Sequence, residues 1–184
     1  MIWSPDEINA VFGSSVSSPI TGISIDTRTL KKGDLFIALS GNPGPKFSTS
    51  NDSTSDGHDF ILQAQKAGAS AIISSRALPE INNLILVPDT LEALWALAEA
   101  SRDRMSRPVI AVTGSNGKTT FRTWLEKSLG VFADVHGSEK SLNNHWGVPL
   151  SLARMPRDAE VGIFEIGTNN PGEIEVLAKL ASPD

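Results

Sequence analysis

Residues 109 to 130 constrain the fold more than any other stretch of this chain. The apolar run Val109-Ile110-Ala111-Val112 is followed by Thr113-Gly114-Ser115-Asn116-Gly117-Lys118-Thr119-Thr120, and then by a segment patterned as a helix up to Gly130. A short unbroken apolar run reads as a strand buried on both faces, the habit of parallel sheets covered by helices. Glycines let backbone N–H groups turn inward around an anion, and the start of the next helix adds a partial positive charge. The unit therefore predicts a polyphosphate site built from Gly114, Ser115, Asn116, Gly117, Lys118, Thr119 and Thr120. Lys118 would reach the outer phosphates of ATP, and the Thr119 hydroxyl would ligate Mg2+. The general phosphate-loop pattern wants a further glycine where this chain has Val112, so the loop is a shortened variant. A Gly-Lys turn with no ligand is the competing reading, and the strand before and helix after it favour the nucleotide.

The rest of the chain repeats the same grammar. Ser4-Pro5-Asp6-Glu7 starts a helix that ends at Gly13, with Ser4 as N-cap and Glu7 placed to complete a capping box. Strands are expected over 20–26, 35–39, 71–74 and 84–87, and helices over 59–67 and from Asp89 onward, with Leu91, Leu94, Trp95 and Ala98 on one face. Beyond the phosphate loop, 133–136 and 161–166 read as strands, and 148–155 and 171–181 as helices. Strands alternating with helices imply parallel sheets. Residues 42–57, with two prolines and a Ser/Thr run, bury too little apolar surface to offset their ordering entropy and read as a mobile loop. The fold class is α/β: a small N-terminal α/β domain over 1–88, then the start of a parallel-sheet domain over 89–184 that carries the phosphate loop.

Of 184 residues, 40% are hydrophobic and 20% charged, with a formal net charge of -5 and no cysteine. This balance exerts no general pull on nucleic acid, and the missing cysteines exclude disulfides and thiolate metal sites. His58, His136 and His145 share no spacing on one element, which argues against a transition-metal site. The first residues lack the basic start and apolar run of a signal peptide, and no apolar stretch approaches a membrane span. A cytoplasmic monomer without membrane insertion is the expectation.

Five blocks in order resemble the Mur ligases, most closely the MurF type. They are Ser24-Ile25-Asp26-Thr27-Arg28 with Lys32-Gly33-Asp34-Leu35-Phe36, Asp56-Gly57-His58-Asp59-Phe60, the phosphate loop, Leu142-Asn143-Asn144-His145-Trp146-Gly147-Val148-Pro149, and Phe164-Glu165-Ile166-Gly167 with Gly172-Glu173-Ile174. The resemblance implies an ATP-dependent amide ligase of peptidoglycan precursor synthesis. A UDP-muramoyl-peptide carboxylate is phosphorylated, and the amine of D-alanyl-D-alanine attacks the acyl phosphate. It implies a substrate-binding domain over 1–88 and the start of an ATP-binding domain over 89–184, with Lys118 and Glu165 as catalytic groups, Thr119 as a Mg2+ ligand, Glu165 as a second-site Mg2+ ligand, and Asp26, Thr27, Arg28, Asn42, Asn143 and Asn144 as substrate contacts.

Plainer readings stand beside these. Asp26 and Arg28 could pair to fix a turn, Asn144 could serve turn chemistry, and Glu165 could be a solvated carboxylate at a strand end. The 42–55 stretch is longer and richer in Ser and Thr than the family pattern, and His145 stands where an acidic residue is expected. By resemblance the chain stops before the next strand of the central domain, so a truncated polypeptide inactive by itself is expected. The alternatives are a MurE-type ligase and a non-catalytic module that binds a UDP-sugar peptide or ATP. A P-loop kinase fits less well, because it needs neither the block around Asp26 nor the one around Asn143.

Overall fold

The computed structural model describes residues 1–41, 55–139, 142–167 and 171–184. The chain divides into two compact units, Met1–Leu94 and Trp95–Asp184.

In the first unit, helix α1 (Pro5–Phe12) begins at the expected capping box: Ser4 N–H donates to Glu7 Oε2 at 2.8 Å, and Glu7 N–H to Ser4 Oγ at 3.3 Å. Gly13 closes it in the left-handed region, φ 65°, with its N–H on the Asn9 carbonyl. Four strands follow, β1 (Ile23–Ser24), β2 (Leu35–Ile37), β3 (Ala71–Ser74) and β4 (Leu84–Leu86), forming one parallel sheet in sequence order. The strand expected over 20–26 is shorter than its alternating pattern suggests. Ile20 pairs instead with Trp3 in an isolated antiparallel bridge, and the Ser24 hydroxyl bonds the Asp26 backbone, turning the chain out of the ladder.

The segment after Asp56 starts as a 3-10 turn, Gly57–Phe60, before becoming α2 (Ile61–Lys66). Gly57 passes so close to β2 that a Cβ there would lie 2.7 Å from the Leu39 carbonyl oxygen, so only glycine fits. Phe36, Ala38, Ile61, Ala64, Ile72 and Ile81 form a core cluster here.

Helix α3 (Thr90–Asp103) is capped by Asp89, whose carboxylate accepts the N–H groups of Leu91 and Glu92. The division between units falls within it. The second unit contains β5 (Val109–Val112), α4 (Lys118–Leu129), β6 (Val135–Gly137), α5 (Gly147–Ala153), β7 (Val161–Glu165) and α6 (Glu173–Ala181). Its sheet is parallel with strand order β5-β7-β6. Val109, Val148, Leu152, Phe164 and Leu177 are fully buried in its core. Trp95 packs against this cluster, and its indole N–H donates to the His145 carbonyl at 2.9 Å. Among the described residues no helix is long and apolar enough to cross a membrane.

Candidate functional site

The strand order brings chemistry to one end of the second sheet. Val112 at the end of β5 is in register with Glu165 at the end of β7, so the loop leaving β5 and the Glu165 carboxylate emerge side by side. This is the open edge at which parallel sheets bind ligands. Gly114 and Gly117 hold φ of 146° and 76°, a region that side chains avoid, and both shape the loop. Residues 113–117 are exposed. Gly117 stands at the N-cap of α4 with no side chain capping the helix and no acidic residue in its first turn. The first N–H groups of α4 therefore face outward in a field that favours an anion. Lys118 Nζ donates back to the Gly114 carbonyl at 2.7 Å, which holds the ammonium group over the loop.

Glu165 lies beneath this loop, only 1% exposed. The reading of a solvated strand-end carboxylate is thereby corrected. Its Oε2 accepts the Thr119 hydroxyl at 2.8 Å, and its Oε1 accepts the Asn143 amide at 2.8 Å. Its backbone N–H donates to Ser138 Oγ at 3.1 Å. Asn143 is itself fixed through its carbonyl, which accepts the Gly167 N–H at 2.7 Å. Asn144 points elsewhere: its side-chain oxygen accepts the Gly147 N–H at 2.9 Å and starts α5. The structure thus brings Asn143, not Asn144, to Glu165. A hydroxyl and a carboxylate in direct contact are the hard oxygen donors that Mg2+ prefers, and this ion completes its shell with water and phosphate. The pair fits that ion. Among the described residues there is no cluster of three His, Cys, Asp or Glu side chains suited to another metal.

In the first unit, Arg28 forks onto the Asp26 carboxylate, with Nε 2.9 and 3.0 Å from its two oxygens and Nη2 2.6 Å from Oδ2. The Arg28 side-chain hydrogen bond holds the Asp26 carboxyl below its ordinary range. Thr27 is half-buried between them. Asn42 lies outside the described residues, as does the stretch 42–54.

A second cluster ties the turn at Asp56 to the end of β3. His58 Nδ1 is 2.6 Å from Asp56 Oδ1, and His58 Nε2 is 2.9 Å from Ser75 Oγ. The order Asp-His-Ser has the bonds of a hydrolase triad. However, the Ser75 N–H also donates to His58 Nε2, at 3.1 Å, and Arg76 pairs with Asp56. Every group is engaged in holding the turn, so the cluster acts as a clasp.

Burial by itself would raise the Asp56 carboxyl, but hydrogen bonds from His58 and the charges of His58 and Arg76 bring it below its ordinary value. A carboxyl depressed on folding adds stability that is present above about pH 4 and lost as pH falls through the lower folded value. Unfolding of the wild type and of Asp56→Asn, compared from pH 6 to pH 2, is expected to show a stability gap that narrows below pH 4. A constant gap would contradict the assignment.

Two family models match the chain: "Mur ligase family, catalytic domain" over residues 19–102 and "Mur ligase middle domain" over residues 112–184. The chain belongs to the Mur ligase family. Among Mur ligases, it is 41% identical over 168 residues to the UDP-N-acetylmuramoyl-tripeptide--D-alanyl-D-alanine ligase of Bacillus subtilis, covering 90% of this chain and 34% of that protein. A MurF structure from Acinetobacter baumannii superposes with a TM-score of 0.81 at 28% identity, covering 100% of this chain and 40% of that one. MurF ligase from Thermotoga maritima, solved in complex with ADP, gives a TM-score of 0.68 at 31% identity over 88% of this chain and 35% of that one. The chain thus spans about a third of the length of the curated Mur ligase relatives it matches.

Sequence reasoning missed three residues around Glu165. Arg122 is buried, with Nε 3.7 Å from Glu165 Oε2, and its Nη1 pairs with Glu126. Residues 118, 122 and 126 are spaced four apart and share one face of α4, a signal that was available. Ser138, the third, had none: a hydroxyl just after a strand is too common to point anywhere.

Proposed function

We propose that this chain contributes the nucleotide site and part of the UDP-substrate site of an ATP-dependent amide ligase. That enzyme joins D-alanyl-D-alanine to UDP-N-acetylmuramoyl-tripeptide in the synthesis of peptidoglycan precursors in the cytoplasm. The contact between Thr119 and Glu165, under a glycine-rich loop and at the mouth of a parallel sheet, carries the reading. The relatives' names supply the substrates.

The substrate carboxylate and the triphosphate of ATP repel each other, and a carboxylate is a poor electrophile. Lys118 and the first N–H groups of α4 hold the outer phosphates and draw off their charge as an oxygen of the carboxylate attacks the γ-phosphorus and ADP departs. Bound Mg2+ would add Lewis-acid neutralisation of the phosphoryl oxygens, held by Thr119 and Glu165. Asn143 fixes the Glu165 carboxylate and would contact the substrate beside it. The amine of D-alanyl-D-alanine then displaces phosphate from the acyl phosphate, forming the amide. Asp26, Thr27, Arg28 and Asn42 serve the UDP portion of the substrate. The Asp26–Arg28 fork leaves the Arg28 side chain 85% exposed and able to reach a diphosphate while still paired.

Calorimetric titration of the chain with ATP and with UDP-N-acetylmuramoyl-tripeptide, separately, tests this. ATP is expected to bind with Mg2+ and to lose most of its affinity when the metal is chelated. No heat with Mg2+ and ATP would sink the proposal. Binding of both ligands, with no amide formed when ATP, UDP-N-acetylmuramoyl-tripeptide and D-alanyl-D-alanine are then supplied together, favours the binding-module reading for the chain by itself.

A further inference from the structure

We propose that Arg122 is the internal counter-cation of Glu165 and makes divalent-cation binding at Thr119 and Glu165 depend on the arrival of nucleotide phosphates. The inference rests on reading that pair as a metal site, and adds to it an order of binding.

The Arg122 side chain is 7% exposed and stands between two carboxylates, Glu126 at 26% and Glu165 at 2%. Its Nη1 pairs with Glu126 Oε1, and its Nε lies 3.7 Å from Glu165 Oε2. Oε2 is the same oxygen that accepts the Thr119 hydroxyl. The oxygen that a cation would share with Thr119 therefore already faces a fixed positive charge. Charges at this separation, shielded from water, interact several times more strongly than on an open surface. A bare divalent ion meets that charge directly. A triphosphate on the loop brings enough negative charge to outweigh it.

Glu165 does not need Arg122 to hold its place, because Thr119, Asn143 and Ser138 fix its two oxygens and its backbone. What Arg122 supplies is charge. Glu126 is set to share it: its carboxylate lies against Gly137, where a Cβ would come within 1.9 Å of Oε1. An open crevice of about 650 Å³, lined by Arg122, Glu126, Gly137, Ser138 and Glu139 among others, leaves space on that side for the guanidinium to swing off Glu165. Arg122 thus acts through Glu165, by its charge and not by contact with the ion.

The test is Mn2+ binding to the whole chain without nucleotide, read by electron paramagnetic resonance. Arg122→Gln is expected to bind Mn2+ at least about tenfold more tightly than wild type, about 1.4 kcal/mol. Arg122→Lys keeps the charge and is expected to stay near wild type. Adding Glu165→Gln to Arg122→Gln should abolish the gain. Glu126→Gln removes a carboxylate that shares the guanidinium with Glu165 and should weaken Mn2+ binding in the presence of ADP. If Arg122→Gln does not fold, the direction of the Glu126→Gln shift decides.

Wild-type affinity in folded Arg122→Gln overturns the proposal, as does a gain that survives Glu165→Gln. Titrating ADP with Mn2+ into the wild type separates the two levels. Failure there refutes the nucleotide reading, whereas binding there without a gain in Arg122→Gln refutes only the role of Arg122.

Discussion

Replacing Lys118 by alanine is expected to weaken binding of Mg2+–ATP by about 10- to 100-fold while leaving the fold nearly as stable as before. The ammonium group is already stationed over the loop, 2.7 Å from the Gly114 carbonyl, so little side-chain freedom remains to be lost when a phosphate arrives. A hydrogen bond from a charged donor to phosphate contributes about 1.5–3 kcal/mol, which sets the expected range. The folded chain loses much less. Lys118 is half-buried, and the Gly114 carbonyl that it leaves belongs to an exposed loop where water replaces the donor. Calorimetry for affinity and urea unfolding for stability separate the two effects. Unchanged affinity in a folded variant would mean that the ammonium group faces no phosphate. A large loss of stability would mean that it serves mainly as a loop clamp.

The fold was legible where local rules agreed with the tertiary setting. The capping box at Ser4, the glycine stop at Gly13, the aspartate cap at Asp89 and the apolar runs at 71–74 and 109–112 each state one conformation, and the structure adopts it. Legibility failed where a residue had a second partner. Ile20 belongs to an alternating run but pairs with Trp3, so the expected strand shrinks to Ile23–Ser24. The helix expected from Asp59 begins with a 3-10 turn because Asp56 caps it early.

In the site, the glycines, Lys118, Thr119 and Glu165 could be placed by motif, since phosphate chemistry requires those residue types in that order. The contacts of Glu165 could not. Ser138 and Asn143 reach it from separate elements, and only the strand order β5-β7-β6 brings those elements together. On α4 the apolar pattern misleads in the other direction. Phe121 and Trp124 suggest a buried face, yet they are 58% and 66% exposed, and the helix turns Arg122 inward toward Glu165 instead.

Glu165→Leu and Glu165→Gln should part company, and the contrast separates the structural role of this carboxylate from its metal role. Leucine removes the acceptor of the Thr119 hydroxyl and of the Asn143 amide, and, like glutamine, deletes an anion beside Arg122. The lost charge is common to leucine and glutamine; what leucine adds is two donors left without an acceptor, each at about 1–3 kcal/mol. Glu126 still pairs with Arg122 in both variants, so the two lost acceptors set the leucine cost at about 3 kcal/mol, seen as a lower denaturant midpoint for the second unit. Glutamine keeps the shape and one acceptor oxygen, so one of the two donors loses its partner at a cost of about 1 kcal/mol. Its amide carries no charge and is a poor Mg2+ ligand beside a carboxylate. The glutamine variant is therefore expected to unfold close to the wild type while its ATP affinity no longer responds to Mg2+. A leucine variant as stable as wild type would show that Glu165 is not the hub of its neighbours, and a glutamine variant with unaltered Mg2+ dependence would remove it from the metal site.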